Sequence, residues 1–239
     1  HGRAPAVGER FVCPGQAATL ESIAASKGDD FYHGQLAAAI AQHARNTGGA
    51  LTEKDLAAHQ ADWVDPISMH YRDLALHEIG PNGQGIGALM ALGMLEHFDI
   101  AGSGCDTALT WHLQIEAMKL AFADVYKYVA EPKSMTLTPE QMLDDGYLKE
   151  RSRMIDPKRA QDFGPGHAPK GGTIYLTAAD EQGMMVSFIQ SNYMGFGSGV
   201  VVPDYGLSLQ NRGHCFTLDP TSANLVGPGK RPFHTIIPA

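Results

Sequence analysis

The chain has 239 residues, of which 44% are hydrophobic and 18% are charged, a composition that favours a globular core and disfavours intrinsic disorder. Its formal net charge is −8 and it carries no basic cluster, so we expect no nucleic-acid partner. The longest uncharged apolar stretch, 85–95, is too short to cross a bilayer, and we expect no membrane segment in this chain.

The cysteine and histidine patterns argue against a disulfide framework and against a metal site. Cys13, Cys105 and Cys215 lack CxxC spacing, and the eleven histidines form no HxH or HExxH motif. We therefore expect three free thiols, no bound metal and no cofactor.

The first part of the chain is predicted to be mainly helical. Apolar spacing and capping signals predict helices at 16–27, 29–32, 35–46, 52–59, 88–97, 106–129, 138 onward and 145–155. Thr52, with Asp55 three residues later, has the pattern of a capping box, and Thr138 before a proline predicts another N-terminus. The longest helix is predicted to share one apolar face among Leu109, Leu113, Ala117, Leu120 and Ala121.

Strand patterns occur at two places along the chain. Residues 64–72 and 74–79 predict one pair of strands. A polar Pro- and Gly-rich linker at 156–169 is followed by a period-two pattern, which predicts a hairpin of strands 173–179 and 184–190 around a turn at 180–183. Residues 199–202 and 206–210 are further strand candidates, so the fold class is α+β.

A glycine loop before the helix at 88–97 imitates a dinucleotide-binding fingerprint. Gly83, Gly85 and Ala88 have the required spacing after a strand. A true fingerprint needs a second parallel strand that ends in an acidic residue, and 98–105 is too short and too glycine-rich to supply it. We favour a turn that enters the helix.

Thr173 stands where an amino-terminal nucleophile would lie. Such chemistry cuts the bond before a threonine that begins a strand, so that its hydroxyl becomes the nucleophile and its new α-amino group becomes the base. Gly172 tolerates the strained geometry that self-cleavage requires. Ser191 and Asn192 follow the second strand of the hairpin and could lie nearby. A threonine that simply begins a strand, followed by a polar strand end, is the alternative reading of these residues.

Several motifs together resemble the γ-glutamyltranspeptidase family of N-terminal nucleophile hydrolases. They are Gly172-Thr173, the VSFIQS run at 186–191, FGSG at 196–199, QNRG at 210–213 and GKRP at 229–232. In the helical part, His112, Glu116, Lys119 and Asp124 also match the family's large subunit. The SFIQSNY and QNRG stretches are most similar to the oxamate amidohydrolase and cephalosporin-acylase-like branches.

The resemblance implies a four-layer αββα sandwich and a precursor that cuts itself between Gly172 and Thr173. Residues 1–172 would be the C-terminal part of a large subunit, mainly helical with some strands. Residues 173–239 would be the N-terminal part of a small subunit, mainly strands, and the two cleaved halves would form a heterodimer and one domain. The family's polypeptide is considerably longer, so we expect this chain to be a slice of one.

The resemblance also implies roles for individual residues. Thr173 is the expected nucleophile, Ser191 the hydroxyl that contacts it, and Asn192 a residue that holds the substrate's α-substituents. Thr235 falls where one of a serine pair binds the donor carboxylate. The oxyanion-hole glycines and the carboxylate-binding arginine of the family would lie outside this chain.

Three departures from the family pattern concern the substrate. Cys215 replaces the aspartate that pairs with the glutamyl ammonium group, Arg212 replaces a neighbouring glutamine, and His234 replaces the first residue of the serine pair. A cationic pocket at Arg212 suits an acyl group that ends in a carboxylate. The segment 219–230 is short, which leaves little room for a lid and favours water as the acceptor.

We therefore predict an amide hydrolase or acyltransferase that hydrolyses a small carboxylate-bearing amide through an acyl-enzyme. One alternative is a γ-glutamyltransferase or glutathione hydrolase. The other is an uncleaved, non-catalytic homologue or fragment. The expected compartment is the cytoplasm or the periplasm, with the cytoplasm favoured.

Overall fold

Helices dominate the first part of the chain and strand pairs the second. The computed structural model of the protein describes residues 3–163 and 173–237, and for Thr173 the backbone alone. The helices are α1 (Pro14–Ala25), α2 (Asp29–His33), α3 (Gln35–Asn46), α4 (Glu53–Ala57), α5 (Ile86–Leu95), α6 (Ile100–Ser103), α7 (Ala108–Tyr128), α8 (Pro139–Met142) and α9 (Asp145–Ser152). Short 3₁₀ helices occupy Pro132–Ser134 and Arg212–Cys215.

Six strands pair into three separate antiparallel two-stranded sheets within the described residues. They are β1 (Ile67–Tyr71) with β2 (Leu74–Glu78), β3 (Thr173–Ala179) with β4 (Met185–Ser191), and β5 (Val201–Val202) with β6 (Leu207–Ser208). The predicted mixture of helices and strands is confirmed. β3 has the predicted bounds, β4 lies one residue later than predicted, and the other four strands are shorter than the sequence pattern indicates.

Local sequence signals fix several helix ends. The prediction for α3 matches its observed bounds, and Thr52 and Asp55 form the predicted capping box before α4. Thr138 caps α8 in the same reciprocal way with Gln141. Leu109 is a correction: it is 41% exposed in the first turn of α7, whereas Leu113, Ala117 and the later members of the predicted face are buried. Thr110 is the buried residue of this turn, so the apolar spacing misplaced the buried face at the start of the helix.

The chain divides into two compact units, and this division does not follow the predicted cleavage point. The first unit comprises His1–Trp63 and Phe196–Gln210. Its centre is α3, whose Leu36, Ile40 and Ala41 are buried. The hydroxyl of Thr19 on α1 donates to the carbonyl of Tyr205, 2.8 Å away, which ties α1 to the β5–β6 turn.

The second unit comprises Val64–Gly195 and Asn211–Ala239 and contains every residue that the sequence assigns to the site. Its core packs α5 against α7, with α9 and β1 beside α5. The buried side chains of this core include Ile86, Met90, Met94, Leu113, Leu120, Val125, Met142 and Leu148. Each stabilises the fold by roughly 1.5–3 kcal/mol relative to an exposed side chain. No helix among residues 3–163 and 173–237 is both long enough and apolar enough to span a membrane.

The β3–β4 hairpin differs from this core because its apolar side chains are exposed. Ile174 is 70% exposed, and Leu176, Met185 and Phe188 are also open to solvent. Successive residues of a strand point to opposite faces, so Ile174 and Leu176 lie on one face and Tyr175 on the other. The hairpin therefore presents apolar surface on both faces.

Candidate active site

The hairpin register places Thr173 directly opposite Ser191. Seven residue pairs connect the strands, from Thr173 with Ser191 at the open end to Ala179 with Met185 next to the turn. At the turn, a side-chain oxygen of Asp180 accepts from the backbone N–H groups of Gln182 (3.0 Å) and Met184 (2.9 Å). A slip of one residue would move Ser191 away from Thr173 and reverse the face of every side chain. The turn at one end thus sets the pairing at the other.

Ser191 is held by the residue two positions further along the chain. Its Oγ accepts a 2.9 Å hydrogen bond from the backbone N–H of Tyr193. Tyr193 has a φ of +78°, a left-handed conformation that is rare for an aromatic residue. Such strain persists where surrounding contacts enforce it, and it is common at functional sites.

A bridge between two asparagines closes the loop that follows. The backbone N–H of Asn211 donates to the carbonyl of Asn192 at 3.2 Å, and the side-chain oxygen of Asn211 accepts from the N–H of Met194 at 3.1 Å. The chain leaves the site after Gly195, forms β5 and β6 in the first unit, and returns at Asn211. This closure brings Arg212 back beside Tyr193.

Arg212 is the centre of a buried polar cluster. Arg212 is only 6% exposed, and its Nη1 donates a 3.3 Å hydrogen bond to the hydroxyl of Thr235. Its Cζ lies over the ring of Tyr193, 5.6 Å from the ring centre, which is a cation–π arrangement. Burial lowers the pKa of Arg212, yet a guanidinium stays protonated in proteins. The cluster therefore carries a fixed positive charge.

Cys215 supplies a neutral thiol to this cluster. Burial raises the pKa of the thiol, although a hydrogen bond with Tyr193 and the charge of Arg212 act in the opposite direction. Burial, together with that hydrogen bond, raises the pKa of the Tyr193 hydroxyl to about 12. At neutral pH both groups are protonated, so neither neutralises Arg212.

The glycine loop before α5 positions His234 and Thr235. The N–H of His234 donates to the carbonyl of Asn82 at 2.9 Å, and the carbonyl of His234 accepts from the N–H of Gln84 at 3.1 Å. A Cβ at Gly85 would lie 2.7 Å from a carboxylate oxygen of Glu78 and 3.0 Å from a methyl of Ile237, so a larger residue there would require these side chains to shift. The loop enters a helix and forms an isolated β-bridge between Gly83 and His234, which agrees with the interpretation favoured over a dinucleotide fingerprint.

His234 is uncharged at neutral pH. Burial, and secondly the nearby charge of Arg212, lower its pKa to about 4. The imidazole can therefore exchange hydrogen bonds with a ligand without adding a second charge to the cluster.

The segment after Cys215 folds on itself. The ammonium of Lys230 donates to the carbonyls of Ala223 (2.6 Å) and Leu225 (2.9 Å), and the Asn224 side chain donates to the carbonyl of Cys215. A cavity of about 280 Å³ lies between this segment and α7; its lining includes Cys215, Tyr126 and Asn224. The segment 219–230, which the sequence predicts to leave little room for a lid, is a turn held by these hydrogen bonds beside the cavity.

Residues of α7 that carry the family resemblance bind the first residues of the predicted linker. Glu116, buried in α7, accepts from the N–H of Gln161 at 3.0 Å and from Lys119 Nζ at 2.6 Å. Lys119 also donates to the carbonyl of Gln161, and His112 bonds the carbonyl of Asp156 at 2.8 Å. These hydrogen bonds hold residues 156–161 against α7. The buried carboxylate of Glu116 therefore has a structural role.

The structure adds Tyr193, which the sequence reasoning did not single out, to the residues around Arg212. The contact seen for Asn192 is made by its backbone carbonyl, whereas the side chain of Tyr193 packs on Arg212. Nothing in the sequence marks Tyr193 for a left-handed backbone, since glycine and asparagine are the usual signals. The predicted cleavage residue Gly172 and the part of the predicted linker from 164 to 169 lie outside the described residues, as does the side chain of Thr173.

The described residues offer no cluster of three or more His, Cys, Asp or Glu side chains arranged to hold a metal ion. Within the same ranges, Cys13, Cys105 and Cys215 are free thiols.

Comparison with known proteins gives consistent matches over the whole chain. The gamma-glutamyltranspeptidase family model matches residues 1–239. The chain is 39% identical over 238 residues to an oxamate amidohydrolase proenzyme of Klebsiella pneumoniae subsp. pneumoniae, covering 100% of this chain and 44% of that protein. It is 36% identical over 242 residues to a glutathione hydrolase-like proenzyme of Bacillus subtilis, covering 100% of this chain and 45% of that one.

A solved structure supports the fold. The crystal structure of a cephalosporin acylase from Bacillus halodurans matches with a TM-score of 0.91 and 51% identity, over 98% of this chain and 42% of that chain. The chain thus spans less than half the length of the relatives it matches. Since the family model matches the chain from its first residue to its last, the chain belongs to the gamma-glutamyltranspeptidase family.

Proposed function

We propose that the protein is a self-cleaving amidohydrolase whose nucleophile is Thr173 and whose substrate is a small amide bearing a carboxylate. The observation that carries this proposal is the pairing of Thr173 with Ser191, which Tyr193 connects to the buried positive charge of Arg212. The matched relatives are named as proenzymes of an oxamate amidohydrolase and a glutathione hydrolase-like protein, which supports a cleaved precursor. The complete protein would adopt the four-layer αββα sandwich.

Self-cleavage begins with the Thr173 hydroxyl. Its oxygen attacks the carbonyl of Gly172, and the amide nitrogen of Thr173 leaves as an amine, so an ester replaces the peptide bond. Water hydrolyses this ester, which yields a carboxylate on Gly172 and a free α-amino group on Thr173. That group has an unperturbed pKa of about 7.7–8.0 and can accept a proton near neutral pH. The two resulting chains remain together as a heterodimer.

Substrate turnover then uses the same hydroxyl. The α-amino group of Thr173 takes the hydroxyl proton as the oxygen attacks the amide carbonyl, and it passes that proton to the departing amine. Water hydrolyses the acyl-enzyme and restores the hydroxyl. Ser191 accepts a bond from Tyr193 and, as a hydroxyl, can still donate one toward the nucleophile.

Arg212 gives the preference for a carboxylate on the acyl group. Charge-assisted bonds from a guanidinium to a carboxylate are about twice as strong as neutral ones. The hydroxyl of Thr235 and the neutral imidazole of His234 can complete the carboxylate's hydrogen bonds, and Asn192 would orient the atoms next to the carbonyl.

A γ-glutamyl hydrolase is the second candidate, since the chain is 31% identical over 248 residues to the glutathione hydrolase proenzyme of Escherichia coli. The state of Cys215 disfavours it. Burial keeps this thiol protonated, so it cannot pair with the glutamyl ammonium group, which Arg212 would also repel.

Mass spectrometry of the full-length protein tests self-cleavage. We expect two polypeptides, one of which starts at Thr173, and Thr173→Ala should abolish both cutting and turnover. Thr177→Ala, a matched change on the same strand, should leave both unchanged. A single intact wild-type chain would indicate a non-catalytic homologue, and turnover by Thr173→Ala would overturn the mechanism. Faster hydrolysis of glutathione than of oxamate or glutaramate would overturn the proposed substrate class.

A further inference from the structure

The GKRP motif at 229–232 lies downstream of the proposed cut, yet its last two residues bond to the chain upstream of that cut. Arg231 donates to the carboxylate of Glu131 from Nε at 3.0 Å, from Nη2 at 3.3 Å and from its backbone N–H at 3.2 Å. The carbonyl of Pro232 accepts a 2.6 Å hydrogen bond from the side-chain amide of Asn82. These bonds join residues that are 100 and 150 positions apart in the sequence.

Phe233 continues this attachment by entering the core of the helical part. It is 7% exposed and belongs to the buried cluster that α5 and α7 form. Its ring meets the ring of Tyr126 edge-on, with 5.8 Å between ring centres. Burial of an aromatic ring removes a large apolar area from water. The attachment therefore has an apolar component as well as a charged one.

The backbone of His234 adds a third kind of contact. Its N–H and its carbonyl bond to Asn82 and Gln84 of the upstream glycine loop, at 2.9 and 3.1 Å. Four consecutive residues thus contact the upstream chain through an ion pair, a side-chain amide, core packing and a backbone bridge. We call residues 231–234 the anchor segment.

The proposed cut makes these contacts necessary. Each of the two compact units contains chain from both sides of Thr173. Once the bond before Thr173 is broken, the downstream polypeptide is held within each unit by noncovalent contacts. Disulfides do not replace the lost bond within the described residues, because Cys13, Cys105 and Cys215 are free thiols.

We propose that the anchor segment holds the downstream polypeptide on the upstream one after self-cleavage, with Glu131 and the core around Phe233 as its binding surface. The partner that this surface fits is the other half of the same precursor. The inference rests on the proposed function, because it requires the cut before Thr173. It goes further by giving the GKRP motif a role in keeping the processed protein together.

Size-exclusion chromatography of the self-cleaved, full-length protein in increasing urea tests the anchor segment. Phe233→Ala should make the two chains separate at a lower urea concentration than in the wild type. The dissociation constant of the two chains should rise about 100-fold or more, as expected when a core phenylalanine is truncated. Arg231→Gln should raise it only about two- to tenfold, because the side chain of Arg231 is 59% exposed.

Two matched variants control for loss of a ring and loss of a charge in the downstream chain. Phe196→Ala removes a phenylalanine that is 90% exposed. Lys230→Gln removes the charge next to Arg231, but the ammonium of Lys230 bonds to Ala223 and Leu225 of its own polypeptide. Neither change should alter the urea concentration at which the chains separate.

A charge exchange keeps the inference testable if Phe233→Ala does not fold. Arg231→Glu should weaken the association, and adding Glu131→Arg should restore most of it, because the pair forms again in the opposite sense. A loss that Glu131→Arg does not restore would overturn the role of the ion pair. Unchanged association in every folded, self-cleaved variant would overturn the anchor segment and leave the proposed function intact. Wild-type protein that remains one uncut chain would overturn both.

Discussion

Two arginines in the same compact unit are accommodated in contrasting ways. Arg151 meets the carboxylate of Asp124 through two hydrogen bonds of 3.0 and 2.9 Å, and Tyr147 donates to the same carboxylate at 2.8 Å. Arg212 is surrounded by a hydroxyl, an aromatic ring and a thiol. Arg151 is held within the fold by a carboxylate, whereas Arg212 contacts Thr235, a residue that the family resemblance assigns to the substrate site.

The largest expected effect comes from breaking the matched pair. Asp124→Ala leaves Arg151 half-buried without its carboxylate, and should lower the free energy of unfolding by about 3–5 kcal/mol. Denaturant unfolding of the full-length protein measures this loss. Glu96→Gln is the control, since it weakens the exposed pair with Arg72 and should cost at most about 1 kcal/mol. Equal losses of unfolding free energy in the two variants would show that the Asp124–Arg151 pair contributes no more than an exposed ion pair.

A smaller effect, on activity, is expected at Arg212. Arg212→Gln keeps a hydrogen-bonding side chain and loses the charge, so KM for a carboxylate-bearing amide should rise about 10- to 100-fold, corresponding to about 1.4–2.7 kcal/mol. Self-cleavage should continue, because Arg212 does not take part in it. Steady-state kinetics with Arg153→Gln, an exposed arginine, as the control measure this change. An unaltered KM would show that Arg212 is structural, as Arg151 is.

The third effect is a pH dependence of stability that originates from His234. Its pKa of about 4 lies below the ordinary 6.5, so the unfolded chain binds the proton more readily than the folded chain. The stability contribution is fully present above about pH 6.5 and is lost as the pH falls toward 4. His234→Gln should flatten the dependence of unfolding free energy on pH in that window. His70→Gln, on an exposed position of β1, should not.

Local features of the site were predictable from the sequence, and long-range ones were not. The turn at 180–183 and the period-two pattern predict the β3–β4 hairpin and a position of Ser191 near Thr173. The observed register, which pairs the two residues directly, is one residue further along the second strand than the predicted bounds imply. The packing of Tyr193 on Arg212 depends on the closure of the loop at Asn192 and Asn211. No local propensity encodes that closure, and the left-handed backbone of Tyr193 contradicts its residue type.

The exposed hairpin has a consequence for handling the protein. Neither β3 nor β4 contains a charged residue, and their outer edges make no ladder within the described part of the chain. Uncharged edges of this kind pair readily with other chains and promote aggregation. Residues 1–239 produced alone should therefore self-associate through this hairpin. Cleavage before Thr173 would place an ammonium group at the start of β3, which would make the processed form the more soluble of the two.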